Sequence, residues 1–129
     1  MQRIVIIEDN EELSRMYERA FRLHGYEVLL FSDGAVAVQE LNAIDPLPAA
    51  IIMDIIIPGM SGLDVLRTLR SDTRFATVPI AMLTNSFVEE NEQQFLSMGA
   101  DLYMVKIQHE ARAIVEKIET LITKGRTSA

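Results

Sequence analysis

A chain of 129 residues suits one domain, and at that length roughly two-thirds of the unfolded surface can be buried, so a single core needs no covalent staples. The absence of cysteine excludes disulfides and thiolate-bound metals and fits a reducing compartment. With 12 Lys and Arg against 19 Asp and Glu, the net charge of -7 opposes direct binding to nucleic acid or to an anionic membrane, and no apolar run reaches the length of a signal peptide or a membrane span. A soluble cytoplasmic protein is the expectation.

In chain order, apolar runs at 3–8, 26–31, 49–54, 78–84 and 101–105 are rich in Ile, Val, Leu and Met at consecutive positions, which predicts strands buried on both faces. Amphipathic stretches separate them. Leu13, Met16, Tyr17, Ala20 and Phe21 recur at helical spacing after the first strand, and Ile114, Ile118, Leu121 and Ile122 repeat it near the end. His24-Gly25, Asp45-Pro46 and Met98-Gly99 read as helix stops, Ser61-x-x-Asp64 and Ser86-x-x-Glu89 as helix-opening capping boxes, and Pro58-Gly59 as a turn. Five strand-helix units predict an α/β fold, a doubly wound five-stranded parallel sheet with helices on both faces. Residues 1–124 form the expected domain, and 125–129 a tail or the start of a linker.

Polar residues sit where four of the strands end. Glu8 and Asp9 close the first, Asp54 the third, Thr84 the fourth and Lys106 the fifth, at the edge where open α/β sheets bind ligands. Three carboxylates brought together repel unless a cation neutralises them, and Mg²⁺ prefers such hard oxygen ligands. Asp9 taken alone also suits a cap for a helix beginning near Asn10. A carboxylate that attacks phosphorus must approach three negative oxygens, so a metal and the Lys106 ammonium would supply the positioning and neutralisation that this chemistry needs. The lone histidines, His24 and His109, have no metal-ligand spacing and read as surface residues.

Glu8-Asp9, the stretch from Asp54 to Gly62 with Pro58 and Gly59, Thr84, Tyr103 and Lys106 together resemble the receiver domains of bacterial two-component response regulators, including the chemotaxis receiver. That resemblance implies a flavodoxin-like strand order 2-1-3-4-5 with five helices. It also implies Asp54 as phosphoryl acceptor and Mg²⁺ held by Glu8, Asp9, Asp54 and the backbone carbonyl of Ile56. Thr84 and Lys106 would contact the phosphoryl group, and Thr84 and Tyr103 would form the switch. The implied partners are a sensor histidine kinase or phosphotransfer protein and a downstream effector or output domain, with a homodimer through the fourth helix, fifth strand and fifth helix as a family option. Such a module is not an enzyme beyond its own phosphorylation and dephosphorylation.

Three residues depart from the family pattern. Ile107 follows Lys106 where receivers carry proline, and since a cis bond to a non-proline residue costs about 2.5–4 kcal/mol, a trans loop is expected. Asn85 stands where a small residue is usual, and Ile56 offers no side-chain hydrogen bond to a hydrolytic water, so slow loss of the phosphoryl group is expected. The competing readings are a degenerate receiver that acts only as a protein-interaction module, an aspartyl-phosphate phosphatase and a flavodoxin-like cofactor carrier. Ile56 replaces the second Asp that the phosphatase needs, and Glu8-Asp9 carry the wrong charge for a phosphate-cradling loop.

Overall fold

A computed structural model describes residues 2–85, 89–106 and 110–126. Ser86 of the second capping box, Ile107 with its trans bond, His109 and residues 127–129 of the tail lie outside the described residues. Five strands, β1 (Arg3–Ile7), β2 (Glu27–Phe31), β3 (Ala50–Asp54), β4 (Ile80–Thr84) and β5 (Leu102–Val105), alternate with α1 (Glu11–Leu23), α2 (Gly34–Asn42), α3 (Gly62–Arg70), α4 (Glu89–Ser97) and α5 (Ala111–Lys124). The sheet is parallel throughout, in the expected order β2-β1-β3-β4-β5. β4 begins at Ile80 rather than 78, because Val78 N–H donates to Phe75 O in a turn that follows a 3-10 helix over Thr73–Phe75, which the apolar pattern did not reveal.

Successive strand side chains point to opposite faces, so the consecutive apolar runs supply two cores. Val5, Ile7, Ile51, Met53, Ile80, Met82 and Tyr103 face α2, α3 and α4, whereas Ile4, Ile6, Ala50, Ile52, Ala81, Leu83 and Met104 face α1 and α5. This parity assigns each strand-end residue to a face.

Caps and turns then place the loops at the carboxyl edge. Asn10, not Asp9, caps α1, its side chain accepting from Leu13 N at 3.0 Å, which leaves the exposed Asp9 carboxylate for another role. The buried stripe of α1 is also turned from the one expected: Ser14, Tyr17 and Phe21 are buried, while Met16 is 45% exposed. Phe21 packs edge-on against Tyr26 with ring centroids 5.9 Å apart, and this contact sets the helix rotation. α2 stops at Asn42, three residues before the Asp45-Pro46 pair expected to end it.

Ser61 caps α3 as its motif requires, accepting from Asp64 N at 3.2 Å. Gly59 adopts φ +82, and a Cβ there would lie 2.3 Å from the Asp33 carboxylate, which itself caps α2 by accepting from Val36 N at 3.0 Å. Gly34 N–H donates to Pro58 O at 2.8 Å, so the loops after β2 and β3 are interlocked.

Candidate functional site

Strand register brings the separated polar residues together. Ile7 pairs with Met53, so the next residues, Glu8 and Asp54, stand side by side past the ends of β1 and β3. Asp54 pairs with Leu83 and Thr84 with Val105, which carries the row on to Lys106. By parity Glu8, Asp54 and Lys106 continue the face that α1 and α5 cover, whereas Thr84 and Tyr103 continue the face that α2, α3 and α4 cover. One edge therefore carries a charged cluster and, through the sheet, a hydroxyl pair.

The Lys106 ammonium donates to both neighbours, at 2.9 Å to Asp54 Oδ2 and through a short contact to Glu8 Oε1. The remaining oxygens accept from the backbone: Glu8 Oε2 from Asn10 N at 3.0 Å and Asp54 Oδ1 from Ile55 N at 2.6 Å. Glu8, Asp54 and Lys106 are buried, and one carboxylate oxygen from each of Glu8, Asp9 and Asp54 lies within 4.8 Å of the other two. That spacing suits a single hard cation. Burial pushes the Glu8 carboxyl above its usual range against the pull of Lys106 and Asn10 N–H. Burial draws the Lys106 ammonium down, but the hydrogen bonds to Glu8 and Asp54 outweigh it and hold the pKa above its ordinary value. Two carboxylates clamp the lysine in its charged form.

Ile56 follows in the loop with its side chain 83% exposed, and Asn85 is exposed past Thr84, so the rim of the site presents a bare apolar side chain and an amide. Tyr103 is 9% exposed, its ring 5.8 Å from that of Phe95. Its hydroxyl is buried beside Thr84 and Asn91. Burial raises its pKa, and hydrogen bonding with Thr84 and Asn91 opposes the rise.

Two contributors escaped the sequence reading. Asn91 precedes Phe95 by one helical turn and so shares its face of α4; that i, i+4 relation was the available signal. Tyr17 read as ordinary core, yet burial and then the charges of Lys106, Glu8 and Asp54 act on its phenol.

A sequence model of the family described as the response regulator receiver domain matches residues 4–119. The chain is 30% identical over 125 residues to the sensory transduction protein RegX3 of Mycobacterium tuberculosis, a match covering 97% of this chain and 52% of that protein. It is 36% identical over 106 residues to the DNA-binding response regulator MtrA of Mycolicibacterium smegmatis, covering 81% of this chain and 44% of that protein. The chain thus spans about half the length of the curated relatives it matches. The receiver domain of Francisella response regulator 1452 shares the fold with a TM-score of 0.86 at 19% identity, covering 96% of this chain and 98% of that one. No described helix is long and apolar enough to cross a membrane.

Proposed function

The chain belongs to the response regulator receiver domain family, and on that premise we propose that it is a phosphorylation-switched signalling receiver whose acceptor is Asp54. The supporting observation is the convergence of Glu8, Asp9 and Asp54 oxygens within 4.8 Å, with the Lys106 ammonium 2.9 Å from Asp54. The donor set fits Mg²⁺, held by Glu8, Asp9, Asp54 and the Ile56 carbonyl; when bound, the ion neutralises charge between the carboxylates and the phosphoryl oxygens.

The phosphodonor is the phosphohistidine of a sensor histidine kinase or of a phosphotransfer protein. An Asp54 carboxylate oxygen attacks phosphorus, the P–N bond breaks, and the leaving imidazole keeps the electron pair and takes up a proton. Lys106, pre-oriented by Glu8, turns its ammonium from the resting carboxylate to a phosphoryl oxygen, a cation already in place where charge develops. The Thr84 hydroxyl donates a charge-assisted hydrogen bond to another phosphoryl oxygen. Thr84 and Tyr103 interact in the resting arrangement, so a hydroxyl drawn to the phosphoryl group changes the setting of the Tyr103 ring between β5 and α4. The altered face of α4 and β5 is what an effector or output domain reads. Ile56 at the rim offers no side-chain hydrogen bond to a hydrolytic water, and the exposed Asn85 amide narrows the approach, which favours a long-lived phosphoryl group.

Intact-mass spectrometry tests the reading. With Mg²⁺ and acetyl phosphate, wild type gains one phosphoryl group, and the gain disappears in Asp54→Ala or on chelation. An unchanged wild-type mass, with binding of partners preserved, would replace this reading with that of an interaction module lacking the chemistry.

A further inference from the structure

We propose that Arg126 fastens the segment leaving α5 to the turn between α4 and β5, so that the chain departs from a fixed point at the pole opposite the carboxylates. Past α5, Gly125 takes φ +74 while its N–H donates to Leu121 O at 2.8 Å, which closes the helix and folds the next residue back. The Arg126 guanidinium then donates from Nε to Asp101 Oδ1 at 2.9 Å, from one terminal nitrogen to Ala76 O at 2.7 Å, and from the other to Gly99 O at 3.3 Å.

The receiving site is already built around a second arginine. Arg70, at the end of α3, donates to Gly99 O at 2.9 Å, to Phe75 O at 2.7 Å and to Asp101 Oδ2 at 3.0 Å, and that same oxygen accepts from Ile80 N at 2.9 Å. The Arg126, Asp101 and Arg70 side chains are 13%, 14% and 10% exposed, so these are not solvated surface pairs. One carboxylate serves two guanidiniums, and the surplus positive charge is met by carbonyl dipoles from the 3-10 turn and the α4–β5 turn. Burial first, and the Arg126 charge next, draw the pKa of Arg70 down to about 10 against the pull of Asp101. The two cations are electrostatic neighbours.

The contact has a mechanical consequence. Gly99 and Asp101 flank the entry to β5, the strand that carries Tyr103, and both hold Arg126. Polypeptide continuing past residue 126 starts from a point tied to that strand rather than from a frayed helix end. A planar five-donor fork is needed to span a carboxylate and two carbonyls at once, so neither Lys nor Met can replace it.

Limited trypsin digestion of the intact protein decides the matter, with cut sites read by mass. Lys124 is exposed, and cleavage after it requires the last turn of α5 and the following residues to come free. In wild type, cleavage after both Lys124 and Arg126 is slow. Arg126→Met speeds cleavage after Lys124 by about tenfold or more. Val38→Ala, which loosens the core under α2 without removing any partner of Arg126, controls for global unfolding and leaves that cleavage slow. Rapid cleavage after Arg126 in wild type, equal rates in wild type and Arg126→Met, or equal acceleration by Val38→Ala would each overturn the proposal.

Discussion

The two ends of the sheet carry charge clusters of opposite excess. At the carboxyl edge three carboxylates converge and one ammonium bonds two of them; at the amino edge two guanidiniums share one carboxylate. The amino-edge surplus is absorbed by carbonyls of Phe75, Ala76 and Gly99, groups that the fold holds in place. At the carboxyl edge the protein offers Glu8 and Asp54 only Lys106 and two backbone N–H groups among the described residues, and Asp9 remains exposed. A cluster closed by its own backbone reads as structure, and one left with uncompensated charge reads as a place for a ligand.

Breaking the closed cluster has the largest expected effect. Asp101→Ala leaves Arg70 and Arg126 facing each other without their counter-ion and strands the Ile80 N–H, so urea unfolding should register a loss of about 3–5 kcal/mol. A loss below about 1 kcal/mol would show the arginines to be solvated after all.

Next comes the open cluster. Lys106→Met removes the donor shared by Glu8 and Asp54 and should cost about 1–3 kcal/mol in chelator. Added Mg²⁺ should stabilise this variant more than it stabilises wild type, as the ion takes over charge that the ammonium balanced. Equal Mg²⁺ responses in thermal melts would mean that the metal and Lys106 do not see the same carboxylates.

A smaller effect of opposite sign is expected from Asp9→Asn. Because Asn10 supplies the α1 cap, removing the Asp9 charge relieves repulsion without breaking a cap, and the melting temperature in chelator should rise, by up to about 1 kcal/mol of stability. The same variant should lose the Mg²⁺-dependent rise expected of wild type.

The smallest effect lies at alkaline pH. Burial raises the pKa of Tyr17, Tyr26 and Tyr103, the three tyrosines of the chain, above the ordinary 10. The unfolded state therefore releases these protons first, and stability should fall as pH climbs past 10 while remaining untouched by the tyrosines below it. Ultraviolet titration should show all three phenols ionising later in the native protein than in urea. A native phenol titrating at the ordinary value would mark one that water reaches.

The architecture and the carboxyl-edge residues were legible because both depend on local order. Consecutive apolar positions identify doubly buried strands, and the first polar residue after each run must emerge at the same sheet edge, which is how Glu8, Asp54, Thr84 and Lys106 could be named before any contact was seen. Helix rotation was less legible: Met16 fitted the apolar stripe as well as Ser14 did not, and the edge-on packing of Phe21 on Tyr26 decided between them.

Partners distant in sequence were decided only by the tertiary structure. Lys106 and Glu8 lie 98 positions apart, and the cluster around Asp101 draws its arginines from 31 positions before and 25 after. Nothing local separates Arg70 and Arg126 from the solvated Arg15 or Arg67, since a guanidinium's fate is set by what packs over it. Sequence alone determined which residues reach the sheet edge, because strand periodicity is a property of neighbours along the chain. Which charges are clamped, which are shared and which stay open to a ligand was settled by burial and register, which exist only once the five strands are side by side.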